Sequence, residues 1–238
     1  MSVATNAHVI TDFHRAQDAR DEEIGTTKRG NGPAYRDKYD RRGMRALEEP
    51  RLSKYLVNLY EELYENEEFE EIEILFEGAQ GFGLDIDWGD YPYVTSSHCT
   101  VGSALLNGVP AKAIRDVWGV AKIYETYVGG KDFEGIDEEF DLIREIGEEY
   151  GSTTGRPRQI NWLDFDLLKM AARINGVNKL VINKMDVLEE VDKWRAYNGP
   201  HVLEFKSRRD MEFWISTKLQ VEVDDDIETF FSGDKEKI

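Results

Sequence analysis

The chain has 238 residues, 40% hydrophobic and 11% aromatic, enough apolar material for a substantial core in one or two domains. Its formal net charge of −18 argues against nucleic acid or an anionic membrane as partner, because both are held through basic surface. No run of 18 apolar residues occurs and no signal-peptide pattern opens the sequence; the one cysteine, Cys99, excludes an intramolecular disulfide, so a cytoplasmic protein is expected.

Val3 to about Glu23 reads as a helix, with Val9, Ile10, Phe13 and Ala16 on one face. A Gly-rich stretch, Gly25 to Pro33, leads into a second helix from Ala34 to about Ala46, for which Pro33 suits the first turn. A third helix is expected over Leu52 to Glu65, where Leu52, Leu56, Leu59 and Leu63 recur at helical spacing. A strand over Glu71 to Phe76 then enters a long loop reaching about His98, and a short helix follows near Val101 to Leu106. Asp116 to Tyr127 reads as a buried strand and Glu138 to Tyr150 as a helix. Gly151 to Arg158 is a loop, Trp162 to Asn175 a helix and Lys179 to Asn183 an apolar strand. Short strands at His201 to Phe205 and Glu212 to Ile215 complete the series. Strands interleaved with helices predict an α/β fold with a mainly parallel central sheet flanked by helices. Residues 1–220 are expected to form the domain, and 221–238, with Asp224-Asp-Asp226 and Glu228, an acidic tail.

Charge is unevenly spread. Glu61 to Glu73 holds eight Glu, and no Lys or Arg occurs between Lys54 and Lys112; both this block and the tail read as solvated faces. Thr26 to Arg45, by contrast, carries seven basic residues and two Asp. This is either a helix with a basic outer face or a seat for a small anion, with Gly25-Thr-Thr-Lys-Arg-Gly-Asn-Gly-Pro offering amides and hydroxyls at a helix start.

Three further segments carry chemistry. Phe76-Glu-Gly-Ala-Gln-Gly-Phe-Gly-Leu-Asp-Ile-Asp87 and Tyr91-Pro-Tyr-Val-Thr-Ser-Ser97 set one Gln among glycines and follow it with consecutive hydroxyls, the donors and acceptors a nucleotide base and phosphate need. Gly151-Ser-Thr-Thr-Gly-Arg-Pro-Arg158 joins hydroxyls and glycines to two Arg; with no acid between Gly151 and Leu163, the Arg pair points to an incoming carboxylate or other anion. In Asn183-Lys-Met-Asp186, an Asp just past a buried strand can take both N–H donors of guanine's edge, which adenine does not offer. His8, His14, His98 and His201 show no metal-ligand spacing. Asp85 and Asp87 read as loop-bracing carboxylates, and Cys99 beside His98 makes no nucleophile signature.

Taken in order, these segments resemble the adenylosuccinate synthetase family, with further matches at Asn6-Ala-His-Val-Ile10, Arg41-Arg-Gly43, Trp162-Leu-Asp164, Asn175-Gly176, Lys184-Met-Asp-Val-Leu188 and Ile215-Ser-Thr217. The resemblance implies a P-loop-GTPase-like α/β architecture and a ligase that joins L-aspartate to C6 of IMP. GTP phosphorylates the 6-oxygen and the aspartate amine displaces that phosphate. It implies that Thr27 and Thr95 hold the substrate nucleotide's phosphate, that Arg41 reaches the same phosphate from the second subunit of a homodimer, and that Gln80 and Arg156 touch the rest of the nucleotide. Ser152, Thr153, Thr154, Gly155, Arg156 and Arg158 would close on aspartate, with Arg158 also reaching GTP. Lys184, Met185 and Asp186 would hold guanine, with Ser216 and Thr217 behind it.

Several departures accompany the likeness. The family's Gly-Asp-Glu-Gly-Lys-Gly-Lys loop and Asn-Ala-Gly-His, which supply the catalytic residues and the Mg²⁺ ligands, have no counterpart in this sequence. Lys28 stands for a usual Gly, Tyr127 and Pro157 for usual Arg residues, and Gly-Pro is lacking after Thr217. The likeness is to short phage and archaeal forms. Two alternatives therefore stay open: a phage-type enzyme acting on (d)GMP, and a non-catalytic nucleotide-binding remnant or split subunit.

Overall fold

The computed structural model describes residues 1–20, 22, 24–65, 73–151 and 155–233. They fall into two compact units, Met1–Ala113 and Ile114–Ile238.

The first unit is mostly loop. Strand β1 (Val3–Ala4) pairs in parallel with β2 (Leu56–Val57). Helix α1 (Asp12–Asp18) starts at Thr11, whose hydroxyl accepts from the His14 amide while the Thr11 amide donates to His14 Nδ1; a histidine here closes a capping box. Its other ring nitrogen lies 3.1 Å from Asp37 on α2 (Asn31–Tyr39), which ties the two helices together around buried His14 and Ala34. Helix α3 (Gly102–Leu106) follows a long loop. Expectation and structure part here in four places. The helix expected from Ala34 to about Ala46 already starts at Asn31 and ends at Tyr39, since the amides of Arg42 and Gly43 both turn back to Asp37 O. The helix expected from Val3 is only the seven residues of α1, because the chain first pairs with β2 and bridges His8 to Arg45. The helix expected over Leu52 to Glu65 is a 3₁₀ turn (Pro50–Tyr55), then β2, then a single π turn (Glu61–Glu65): pairing with β1 overrides the leucine spacing. Residues 73–76 form no strand and expose Ile74, Leu75 and Phe76, because no neighbouring strand among the described residues offers a ladder; Glu71 and Ile72 lie outside the described residues.

The second unit is α/β. A parallel three-stranded sheet runs in the order β3 (Trp118–Lys122), β6 (Lys179–Asn183), β9 (Glu228–Phe231). Central β6 is buried at Leu180, Val181 and Ile182, as a strand covered on both faces must be. A second sheet has the order β4 (Tyr124–Tyr127), β5 (Gln159–Asp164), β7 (Trp194–Asn198), β8 (His201–Phe205), with β5 and β7 parallel and the outer pairs antiparallel. The single strand expected over Asp116 to Tyr127 is thus two: at Ile123 the chain leaves one sheet for the other. Helices α4 (Phe140–Ile146), α5 (Phe165–Asn175), α6 (Met185–Val191) and α7 (Arg208–Glu222) cover the sheets. Asp164 caps α5 through the amides of Asp166 and Leu167, so Trp162 to Asp164, expected as helix, belong to β5. Glu212 to Ile215, expected as strand, lies inside α7, where Met211, Ile215 and Leu219 recur every four residues and bury one stripe. Part of the stretch read as acidic tail supplies β9. The architecture is α/β with four parallel strand pairings, β1–β2, β3–β6, β5–β7 and β6–β9.

Candidate functional site

In the first unit two buried carboxylates build the loops. Asp18 accepts from the Thr26 hydroxyl (2.9 Å) and the Gly30 amide (2.7 Å), pinning the stretch that carries exposed Thr27 ahead of α2. Gly30 caps α2 at φ 88°, a left-handed conformation open to glycine; a Cβ there would lie 2.8 Å from Ile10. Asp85 is wholly buried and accepts from the amides of Asp87 (3.0 Å), Trp88 (3.1 Å) and Cys99 (2.5 Å). Burial pushes its carboxyl up, and the three amides more than offset this, holding it below the usual carboxylate range. Asp85 is thus a loop brace. It sets the Thr95–Ser97 turn, whose Thr95 amide donates to Leu84 O (2.8 Å). The α2 start reaches this turn: a Cβ on Gly32 would sit 3.5 Å from Ser96 Oγ. The helix N-terminus that follows Thr27 and the hydroxyls around Thr95 are therefore neighbours, a ready anion seat. Gln80 (φ 64°) and Arg41 (φ 62°) are exposed on left-handed backbone.

Sequence spacing gave no hint that His98 meets Asp85 and Asp87, yet its Nδ1 lies 4.0 and 3.5 Å from their carboxylates. One ligand atom from each of the three falls within 4.8 Å of the others. The Mg²⁺ that the sequence resemblance implies does not fit this cluster, since a hard ion wants an oxygen shell and Asp85 already spends its oxygens on backbone amides. Among the described residues the other such grouping is exposed Asp224, Asp225 and Asp226.

In the second unit β3 and β6 end side by side, with Lys122 opposite Asn183, at the carboxyl edge where open α/β sheets receive ligands. Lys184 turns the chain through φ 64° from β6 into α6, its Nζ 3.4 Å from Gly147 O. Met185 is fully buried and anchors that turn. Asp186 packs on the segment after β9: a Cβ on Gly233 would lie 2.8 Å from its Cβ and 2.9 Å from its Cγ. The Oδ1 of Asn183 is buried without a hydrogen-bond partner among the described residues. Ser216 lies on α7, away from this edge. Its hydroxyl accepts from Thr229, which faces Leu180 in register, three residues or ~10 Å short of the end of β6. Thr217 is exposed on α7.

The arginine loop corrects the expectation that no acid neutralises it. Glu149, just outside the stretch counted, is 2% exposed and accepts from Lys122 on both oxygens (2.7 Å), Tyr124 OH (2.9 Å) and Arg158 Nη1 (2.8 Å). Burial would raise its carboxyl, but these donors hold it below the usual range; Tyr124 is driven up by burial and by that negative charge. The loop's root is a hairpin: Tyr150 bridges Pro157, and the Gly151 amide donates to Arg156 O (2.8 Å). Gly155 (φ 63°) makes its turn and Arg156 follows. Ser152, Thr153 and Thr154 lie outside the described residues. Glu149 and Lys122 escaped the sequence reading because Glu149 falls at the end of the helix expected over Glu138 to Tyr150; the signal was an acid and a base flanking an eight-residue hairpin.

The sequence profile of adenylosuccinate synthetase matches residues 1–49 and 47–199. The chain belongs to the adenylosuccinate synthetase family. Adenylosuccinate synthetase of Carboxydothermus hydrogenoformans is 39% identical over 261 residues, 86% of this chain and 61% of that protein. The enzyme of Xanthomonas campestris pv. campestris is 43% identical over 234 residues, 79% of this chain and 54% of that protein. The chain thus spans about three fifths of the length of such relatives. Fully ligated adenylosuccinate synthetase from Plasmodium falciparum superposes with a TM-score of 0.75 at 30% identity, over 87% of this chain and 62% of that one. Cyanophage S-2L succinoaminodeoxyadenylate synthetase, bound to dGMP and dATP, shares the fold at a TM-score of 0.63 and 23% identity, over 90% of this chain and 71% of that one. The profile match of the adenylosuccinate synthetase family ends at residue 199, before Ser216 and Thr217.

Proposed function

We propose that this chain provides the substrate-holding surfaces of a C–N ligase of purine biosynthesis that joins L-aspartate to C6 of IMP and uses GTP. The observation that carries the reading is the carboxyl edge of β3 and β6. There a buried, unsatisfied Asn183 acceptor, the Lys184 turn and Asp186 stand beside a loop that presents Arg158. A ligand with N–H donors on a planar edge satisfies such a site, and guanine is the base that carries them. Lys184, Met185 and Asp186 hold that base, while Arg158, with Arg156 and Ser152 to Gly155, takes the aspartate carboxylates. Thr27, ahead of α2, and Thr95, in the turn beside the helix start, hold the IMP phosphate and Gln80 the purine. Beyond its amide, which donates to Lys38 O (3.1 Å), Arg41 makes no hydrogen bond among the described residues, which suits a side chain that completes the site of the second subunit in a homodimer. Mg²⁺ accompanies GTP in this chemistry. The Asp85, Asp87 and His98 cluster does not fit it. Ser216 is bound to Thr229 and stays out of the guanine site in this reading.

The purified chain, incubated with L-aspartate, GTP, Mg²⁺ and IMP, should yield the succinylated nucleotide by mass spectrometry. Parallel reactions with GMP and dGMP address the phage-type alternative, which the fold-level likeness alone raises. GTP and IMP binding without product would assign the chain to holding substrates only; absence of both would overturn the reading.

A further inference from the structure

We propose that Glu149 is a positioning residue that holds Arg158 for an incoming carboxylate. The assignment rests on the reading that Arg158 receives aspartate. A carboxylate offers about four lone-pair sites, and in Glu149 all four are filled: Lys122 and Tyr124 on Oε1, Lys122 and Arg158 on Oε2. The group is therefore not available as a base. Its role is mechanical and electrostatic. Arg158 is fixed twice by the same residue, since its amide donates to Glu149 O (2.9 Å) while Nη1 donates to the Glu149 side chain. Arg144 Nε donates to Arg158 O (2.8 Å) from the other side, so the backbone below the guanidinium is clamped.

Only Nη1 is spent in this way. Among the described residues Nε and Nη2 make no bond, and these are the two donors of the side-on fork that grips a carboxylate. Two cations, Lys122 and Arg158, share one carboxylate, which leaves an excess positive charge at the edge of β3. Glu149 thus fixes the fork's direction without cancelling its charge.

The test compares the wild type with Glu149→Gln and Glu149→Asp in the ligase assay, varying aspartate. Glu149→Gln should raise the aspartate KM at least tenfold while kcat at saturating aspartate stays within about threefold. Glu149→Asp, which keeps the charge, should recover part of the loss. An unchanged aspartate KM in a folded Glu149→Gln variant overturns the proposal, as does an equal fall in kcat at constant KM, the mark of a merely structural residue. A second measurement needs neither turnover nor a folded variant. Phenylglyoxal labelling of the wild type, mapped by peptide mass spectrometry, should modify Arg158 at least tenfold more slowly than exposed Arg42. Equal rates would remove the Glu149–Arg158 pair itself. Protection of Arg158 in a chain that neither turns over nor binds GTP and IMP would defeat the ligase reading and leave the pairing intact.

Discussion

Replacing Asp85 by Ala removes the acceptor for three backbone amides at once, those of Asp87, Trp88 and Cys99. A buried donor left without a partner costs ~1–3 kcal/mol. Asp87 and Trp88 are exposed residues whose amides water can reach after the change, so the lower end applies to them and the loss is about 3 kcal/mol. Asp85→Asn keeps an acceptor for two of the three amides but turns an NH₂ toward the Cys99 amide, and about 1–2 kcal/mol is expected. With a urea slope of ~2 kcal/mol/M, Asp85→Ala should lower the midpoint by roughly 1.5 M, followed through Trp88 fluorescence. Acid dependence supplies an independent check. Because the folded carboxyl titrates below its unfolded value, its contribution is present above the unfolded pKa and is lost as pH falls through the folded one; Asp85→Asn should abolish that part of acid unfolding. A midpoint for Asp85→Ala within about 0.3 M of wild type, the spread of such fits, would refute the brace.

Other outcomes follow from the same geometry. Asp186→Asn should weaken GTP binding at least tenfold in calorimetry, with ATP binding unaffected; equal GTP affinity would remove the guanine assignment. Gly147→Ala places a methyl 2.4 Å from Tyr124 OH and 2.9 Å from Ile143 O, so a loss of ~2–3 kcal/mol in thermal unfolding is expected, and a neutral result would contradict the packing. Burial, reinforced by the charge of Asp164, raises Glu125 to about 7. The carboxyl then favours folding below its unfolded value near 4.5, and the benefit is lost as pH rises through 7; Glu125→Gln should stabilise the chain by of order 2 kcal/mol at pH 8 and hardly at pH 4. Burial, with Asp85 nearby, pushes the Cys99 thiol up to about 11, so a disulfide reagent at pH 8 should react far more slowly than with free cysteine, and unfolding should restore the rate.

What could be read in the sequence was whatever is carried by short-range chemistry. The apolar run Leu180 to Ile182 with polar residues after it gave β6 and the position of Lys184 and Asp186, because a buried parallel strand has a recognisable composition. What failed was long-range pairing. Leu52 and Leu56 have helical spacing, but a partner strand near residue 3 decides their conformation. Trp162 to Asp164 look like the start of α5, and only pairing with β4 and β7 makes them strand. Glu149 was invisible for the same reason: its meaning depends on Lys122, twenty-seven positions earlier, and on a hairpin that returns Arg158 to it.

The order in which β6 acquires its neighbours has a consequence for biosynthesis. β3 precedes β6 and can pair with it early, but β9, on the opposite edge, is separated from Asn183 by α6, two strands and α7. At ~5–20 residues per second, a ribosome needs several seconds to deliver the residues from Asn183 to Phe231. Through that interval Leu180, Val181 and Ile182 present an open, apolar edge, the kind of surface on which nascent chains associate wrongly. Folding of the second unit in a cell should therefore depend on a chaperone that shields this edge until β9 arrives, and slowing translation after residue 183 should raise the insoluble fraction.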